Sequence, residues 1–229
     1  MLEVAFRLDL PHGRCVGVVI PDALPAEVLA ALPGEERALA DGLSEARQRS
    51  FVAGRIALRA ALTDLGLPAE PLLIGERGAP LLPAGALGSI SHKRTLAVGL
   101  AARADGQQIG VDVEDDIPPR VDVSRRVLAK DEAAALAGLA PELRARTVLL
   151  HLSAKESIYK ALDPFVRRHV SFQEASLRLR DDGTWQVSLS LTNGEGPFST
   201  EVTCQELRAG GSFFLTSAAI RRAPQVPPP

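Results

Sequence analysis

A chain of 229 residues has room for one large domain or two small ones, and 46% hydrophobic with 24% charged residues is the balance of a globular protein with a real core. The formal net charge of −2 gives no global case for nucleic acid or an acidic membrane surface as a partner; charge is clustered instead, which points to a site. The two cysteines, Cys15 and Cys204, lie far apart without metal-ligand spacing and read as small buried hydrophobes in a reducing cytoplasm.

No run reaches the length of a transmembrane helix, and the N-terminus shows no basic leader followed by an apolar stretch, so neither a membrane span nor a signal peptide is expected. Residues 1–20 alternate weakly (Val4, Phe6, Leu8, then Val16, Val18, Ile20) about the P-H-G turn at Pro11–Gly13, which predicts a hairpin or two edge strands. Pro21, Pro25 and Pro33 punctuate a stretch of short helices. From Ala38 to Leu65, Leu39, Leu43, Ala46, Phe51, Ala53, Ile56, Ala57, Ala60 and Ala61 recur at helical spacing. A Gly/Pro-rich loop over 66–88 carries G-E-R-G-A-P, then S-I-S-H (Ser89–His92) leads to a strand over Leu96–Ala102.

After a polar turn at 104–108 comes G-V-D-V-E-D-D (Gly110–Asp116). Ile109, Val111 and Val113 favour a strand, and the alternation puts Asp112 and Glu114 on one face. Pro118 and Pro119 break the chain before helical segments at about 123–140 and 141–162. Four alternating segments follow, 176–180, 185–191, 200–204 and 213–220, separated by D-D-G, N-G-E-G and A-G-G turns. Each half thus runs strands, helices, strands. The expectation is an α+β fold of two similar lobes, 1–104 and 105–222, with a ligand cleft between them and a frayed tail at 223–229.

On the second long helix, Glu156 and Lys160 are one turn apart and Lys155 directly precedes Glu156, beside the core residues Ile158, Ala161 and Leu162. An isolated D-x-E is usually a solvated strand end. Asp112, Glu114 and Glu156 together with two lysines instead suit a hard divalent cation such as Mg²⁺ holding a phosphate ester. Ser91, His92, Lys93 and Arg94 form a mostly basic cluster at a strand start where an anion could bind, and Arg77 sits between glycines that let a ligand approach. Arg47 and Arg55, eight residues apart on the first long helix, are close enough to one face to clamp a phosphate.

G-V-D-V-E followed by S-A-K-E-S-I-Y-K-A resembles the signature pair of the 4′-phosphopantetheinyl transferases. G-A-P-x-x-P…S-I-S-H resembles their upstream motif, and R-Q-R-S-F-V-A-G-R is similar to the arginine-bearing helix of the branch serving siderophore, polyketide and nonribosomal peptide synthetases. The resemblance spans roughly residues 44–175 and implies a two-lobed, pseudo-twofold monomer that binds coenzyme A. It implies that Asp112, Glu114 and Glu156 hold Mg²⁺, that Lys155 and Lys160 meet the pyrophosphate, and that Ser91 and His92 line the phosphate end. Arg47 and Arg55 would hold the 3′-phosphate, joined by Arg77 at a position often lysine in the family. Glu156 would accept a proton from the serine of an apo acyl or peptidyl carrier protein, with Lys160 and Lys155 stabilising the leaving phosphate. The competing readings are a non-catalytic coenzyme A or nucleotide sensor, an interaction protein with a salt-bridge network, and a magnesium phosphohydrolase.

Overall fold

The computed structural model describes residues 1–69, 71–119, 121–180 and 184–224. The D-D-G turn and residues 225–229 of the expected tail lie outside these. The chain forms two compact units: Met1–Asp105 with Val111–Val113, and Gly106–Gly110 with everything from Glu114 onward. The α+β class expected from the sequence holds, each unit joining antiparallel strands to one long helix.

In the first unit, β1 (Val4–Leu10) and β2 (Gly13–Val19) form the expected hairpin, and β3 (Ala86–His92) and β4 (Leu96–Arg103) complete a sheet of order β1-β2-β4-β3. Two short helices, α1 (Ala26–Ala30) and α2 (Gly34–Asp41), precede α3 (Glu45–Asp64). The helix expected over 38–65 is therefore two, because the chain breaks at Gly42–Ser44. The apolar face of α3 (Ala53, Ala57, Leu58, Ala61, Leu62) packs on Val16, Val18, Ala97 and Ala101. Each fully buried leucine there contributes about 1.5–3 kcal/mol. Contact is close enough that a Cβ on Gly99 of β4 would lie 2.3 Å from the Leu58 backbone nitrogen, so only glycine lets the helix settle on the sheet.

The second unit holds a sheet of order β5-β9-β8, made of β5 (Gln107–Asp115), β8 (Phe198–Arg208) and β9 (Ser212–Arg222), and a separate antiparallel pair, β6 (Ala175–Leu179) with β7 (Trp185–Leu189). The helical segment expected over 123–140 is two short helices, α4 (Ser124–Val127) and α5 (Lys130–Ala135), while the one expected over 141–162 forms as α6 (Pro141–Val166). Pro141 opens α6 at a position where its missing N–H costs nothing. Ala154, Ile158, Ala161 and Leu162 of α6 pack against Leu177, Val202, Ala218 and Ile220. A Cβ on Gly110 of β5 would meet the Ser157 carbonyl oxygen at 1.9 Å, so here too a glycine admits the helix. Among the described residues no helix is long and apolar enough to cross a membrane.

Candidate functional site

In the first unit the candidate residues come from α3, the loop after it, and the facing edges of β3 and β5. Residues of β3 alternate: Gly88 and Ile90 face α3, while Ser89 and Ser91 turn the other way and are buried. Both serines reach β5. Ser91 Oγ donates to Asp112 Oδ1 at 2.7 Å, and Ser89 Oγ accepts from the Val111 backbone N–H at 3.1 Å. Asp112, only 5% exposed, is thus a buried carboxylate held by a hydroxyl, which offsets part of its desolvation. His92, the last residue of β3, is exposed.

The turn of α3 that carries Arg55 lies against β3 because Gly54 packs on Ile90, where a Cβ would come within 2.8 Å of Cγ2. Arg55 is buried. Its Nε donates to the Leu72 carbonyl at 2.8 Å, its guanidinium lies 4.4 Å from the centre of the Phe51 ring, and its Nη nitrogens have no hydrogen-bond partner among the described residues. Burial lowers its pKa, with the Glu36 charge opposing the shift. An arginine remains charged under such a shift, so Arg55 offers a fixed cation with its fork unspent. Arg47 is exposed. The two arginines do not share an environment: at 3.6 residues per turn, eight residues leave them about 80° apart around the helix. Arg77 is exposed at the tip of a tight turn, where Gly78 N–H donates to the Gly75 carbonyl and Gly78 takes φ +84°.

In the second unit, Glu114 on β5 is 9% exposed, while Glu156 and Lys160 on α6 are half-buried. The last acid of the expected cluster is structural: Asp116 takes two bonds from Arg146, at 3.0 and 3.1 Å, and Arg146 also pairs with Glu206 at 2.7 Å. These carboxylates raise the Arg146 pKa.

Lys155 departs from the expectation. It is 0% exposed, and its ammonium donates to Glu132 Oε2 (2.6 Å), the Val127 carbonyl (2.8 Å) and the Phe172 carbonyl (2.9 Å). Three donors and three partners leave nothing for a pyrophosphate. Positions 155, 158 and 162 lie on one helical face, the one Ile158 and Leu162 turn into the core, so Lys155 is carried inward while Glu156 and Lys160 are rotated away from it. Glu132, which sequence reasoning did not single out, answers it. Its carboxylate also accepts the Ala129 N–H at 2.5 Å and the Leu177 N–H at 2.7 Å, tying α5, α6 and β6 together. Its sequence signal was an acid followed by three alanines on a helix whose surroundings had to be apolar. Desolvation pushes the Lys155 pKa down, and Glu132 opposes it. His151 is likewise internal, with Nδ1 bonded to the Thr147 carbonyl (2.9 Å) and its ring edge-on to Trp185. Leu152 packs beside Val127, Leu128 and Val148.

Among the described residues no three His, Cys, Asp or Glu side chains gather closely enough to hold a metal ion by themselves. The donor chemistry nonetheless fits a hard cation. Asp112 and Glu114 are buried oxygen donors two residues apart on one strand, and Mg²⁺ is usually held by one or two carboxylates with phosphate oxygens and waters completing its shell.

Comparison with known proteins accounts for both units. Residues 35–102 match the 4′-phosphopantetheinyl transferase N-terminal domain, and residues 108–215 match the 4′-phosphopantetheinyl transferase superfamily. The chain is 37% identical over 185 residues to 4′-phosphopantetheinyl transferase Svp of Streptomyces mobaraensis, covering 79% of this chain and 74% of that protein. It is 33% identical to 4′-phosphopantetheinyl transferase Npt of Nocardia iowensis, with 83% of each covered. It is also 37% identical over 198 residues to enterobactin synthase component D of Salmonella typhi, covering 84% and 80%. With both units matched and the relatives aligned over most of their length, the chain belongs to the 4′-phosphopantetheinyl transferase superfamily.

Proposed function

We propose that this protein transfers the 4′-phosphopantetheine arm of coenzyme A to a serine hydroxyl of an apo acyl or peptidyl carrier protein, releasing adenosine 3′,5′-bisphosphate. The observation that carries the reading is the family match across both units, which includes the buried carboxylates of β5 and the acid–base pair on α6. The serine oxygen attacks the β-phosphorus of coenzyme A as the bond to the bridging oxygen breaks, and the bisphosphate leaves with that oxygen. Glu156 accepts the serine proton, directly or through a water. Lys160 stabilises the charge that builds on the leaving phosphate. Lys155 is left out of this role because its donors are spent inside the protein.

Arg55 and the exposed Arg47 and Arg77 hold the 3′-phosphate, with Ser91 and His92 beside the phosphates. Ser91 acts through its bond to Asp112. Asp112 and Glu114, with Glu156, would hold Mg²⁺, which when bound withdraws charge from the diphosphate. The protein is read as a cytoplasmic monomer, in keeping with two free cysteines.

The test is to incubate the protein with coenzyme A, Mg²⁺ and a panel of apo acyl and peptidyl carrier proteins and to weigh the carriers. A carrier that gains the phosphopantetheine mass at its serine is the expected result. Binding of coenzyme A with no carrier modified would make it a sensor, and consumption of coenzyme A by water alone would make it a hydrolase.

A further inference from the structure

Among the described residues of the first unit Glu36 is the most buried acid, at 0% exposure, and it lies outside every motif discussed above. It stands on α2, yet its Oε1 accepts the Leu72 backbone N–H at 2.6 Å and Arg59 Nη2 at 2.5 Å. The carbonyl of the same residue, Leu72, accepts from Arg55 Nε at 2.8 Å. Glu36, the Leu72 backbone and Arg55 therefore form a continuous relay through one residue: the acid holds the Leu72 N–H, and the Leu72 carbonyl, in the next peptide unit, takes the Arg55 Nε donor. Leu72 itself is fully buried, so the relay is anchored in the core of the unit and not in solvent. Phe51, one turn before Arg55, closes the other side of the guanidinium.

We infer that Glu36 is a positioning residue for recognition of the 3′-phosphate of coenzyme A, acting through Leu72 to aim the Arg55 fork. The inference rests on the reading of Arg55 as a 3′-phosphate contact. Burying a carboxylate is costly, and pairing it with Arg59 and one N–H alone does not need a loop backbone placed between it and a second arginine. The arrangement is economical only if the orientation of Arg55 matters, since a bidentate guanidinium–phosphate pair depends on the angle of the fork as well as on charge. Glu36 also adds an electrostatic contribution: its charge offsets part of the penalty that burial places on Arg55.

The experiment is calorimetric titration of the whole protein with coenzyme A and with dephospho-coenzyme A, which lacks the 3′-phosphate. Glu36→Gln should weaken coenzyme A binding about tenfold, the size of one charge-assisted hydrogen bond, and change dephospho-coenzyme A binding less than about twofold. On an Arg55→Ala background it should cost nothing more for coenzyme A. Glu36→Asp, which keeps the charge but draws it back by one methylene, should fall between Gln and wild type, and it carries the same comparison if the Gln protein does not fold. Equal weakening of both ligands would mean a merely structural acid and would overturn the inference. So would an Arg55→Ala protein that loses its preference for coenzyme A while Glu36→Gln keeps it. If Arg55→Ala itself retains the full preference, the 3′-phosphate reading fails and takes the inference with it.

Discussion

Replacing Lys155 by methionine separates a structural lysine from a catalytic one. Methionine matches the length of the lysine stem but leaves Glu132, whose side chain is 1% exposed, without its cation, and frees the carbonyls of Val127 and Phe172. Breaking one side of a buried ion pair costs about 3–5 kcal/mol. Glu132 keeps the N–H groups of Ala129 and Leu177, so the lower end, about 3 kcal/mol, is expected. For a chain of this size that lowers the unfolding midpoint by roughly 6–12 °C. Lys155→Met/Glu132→Gln should recover about half of the loss, because no buried charge then stands alone. The assay is urea unfolding followed by the fluorescence of Trp185, the only tryptophan in the chain, which packs against His151 of α6 and so reports the second unit. A Lys155→Met protein within about 0.5 kcal/mol of wild type that bound coenzyme A tenfold more weakly would refute the reasoning. It would put the ammonium on a phosphate.

Glu156→Gln should slow transfer by about 10²–10⁴-fold while coenzyme A still binds measurably in a calorimeter; near-normal turnover would remove Glu156 from proton transfer. Gly110→Ala should destabilise the protein by about 1–3 kcal/mol or more, since its Cβ must displace the Ser157 carbonyl, whereas Gly138→Ala, with nothing within 4 Å, should change the unfolding midpoint little. Acid should loosen the segment joining α6 to β8. Arg168 holds the carboxyls of Glu174 and Glu195 down to about 2, below the ordinary 4.5, so their stabilising contribution is present above about 4.5 and lost as pH falls toward 2. Arg168→Gln should flatten the dependence of the unfolding midpoint on pH across that window; an unchanged slope would show that the pairs contribute nothing.

The parts of the fold that sequence displays are those where one period persists. β5 is legible because Ile109, Val111 and Val113 alternate with polar residues, and the β1–β2 hairpin because its alternation breaks at a turn. β3 is not, because Gly88, Ser89 and Ser91 stand where apolar residues would mark a strand; the glycine is there to admit Leu58, and the serines to bond β5. The helical period of residues 38–65 runs through Gly42–Ser44 without a mark strong enough to show the break between α2 and α3.

Placement of the candidate residues was legible where it is local. Asp112 with Glu114, and Glu156 with Lys160, are close in sequence, so spacing alone relates them. The burial of Lys155 depends on Glu132 and Phe172, and that of Arg55 on Leu72 and Glu36, partners brought together only by folding. Lys155 shares a helical face with Ile158 and Leu162 and could have been read as inward-facing from them. The motif's appearance as a cluster of charges concealed that the charges face different ways.

A single-turnover experiment reaches the central claim most directly: mix the protein with Mg²⁺, limiting coenzyme A and an apo carrier that the panel shows to be a substrate, then count adenosine 3′,5′-bisphosphate against phosphopantetheinylated serine. The account predicts equal amounts of the two, with neither formed when the carrier serine is replaced by alanine. Bisphosphate appearing without a modified serine, or coenzyme A left intact beside a competent carrier, would contradict it.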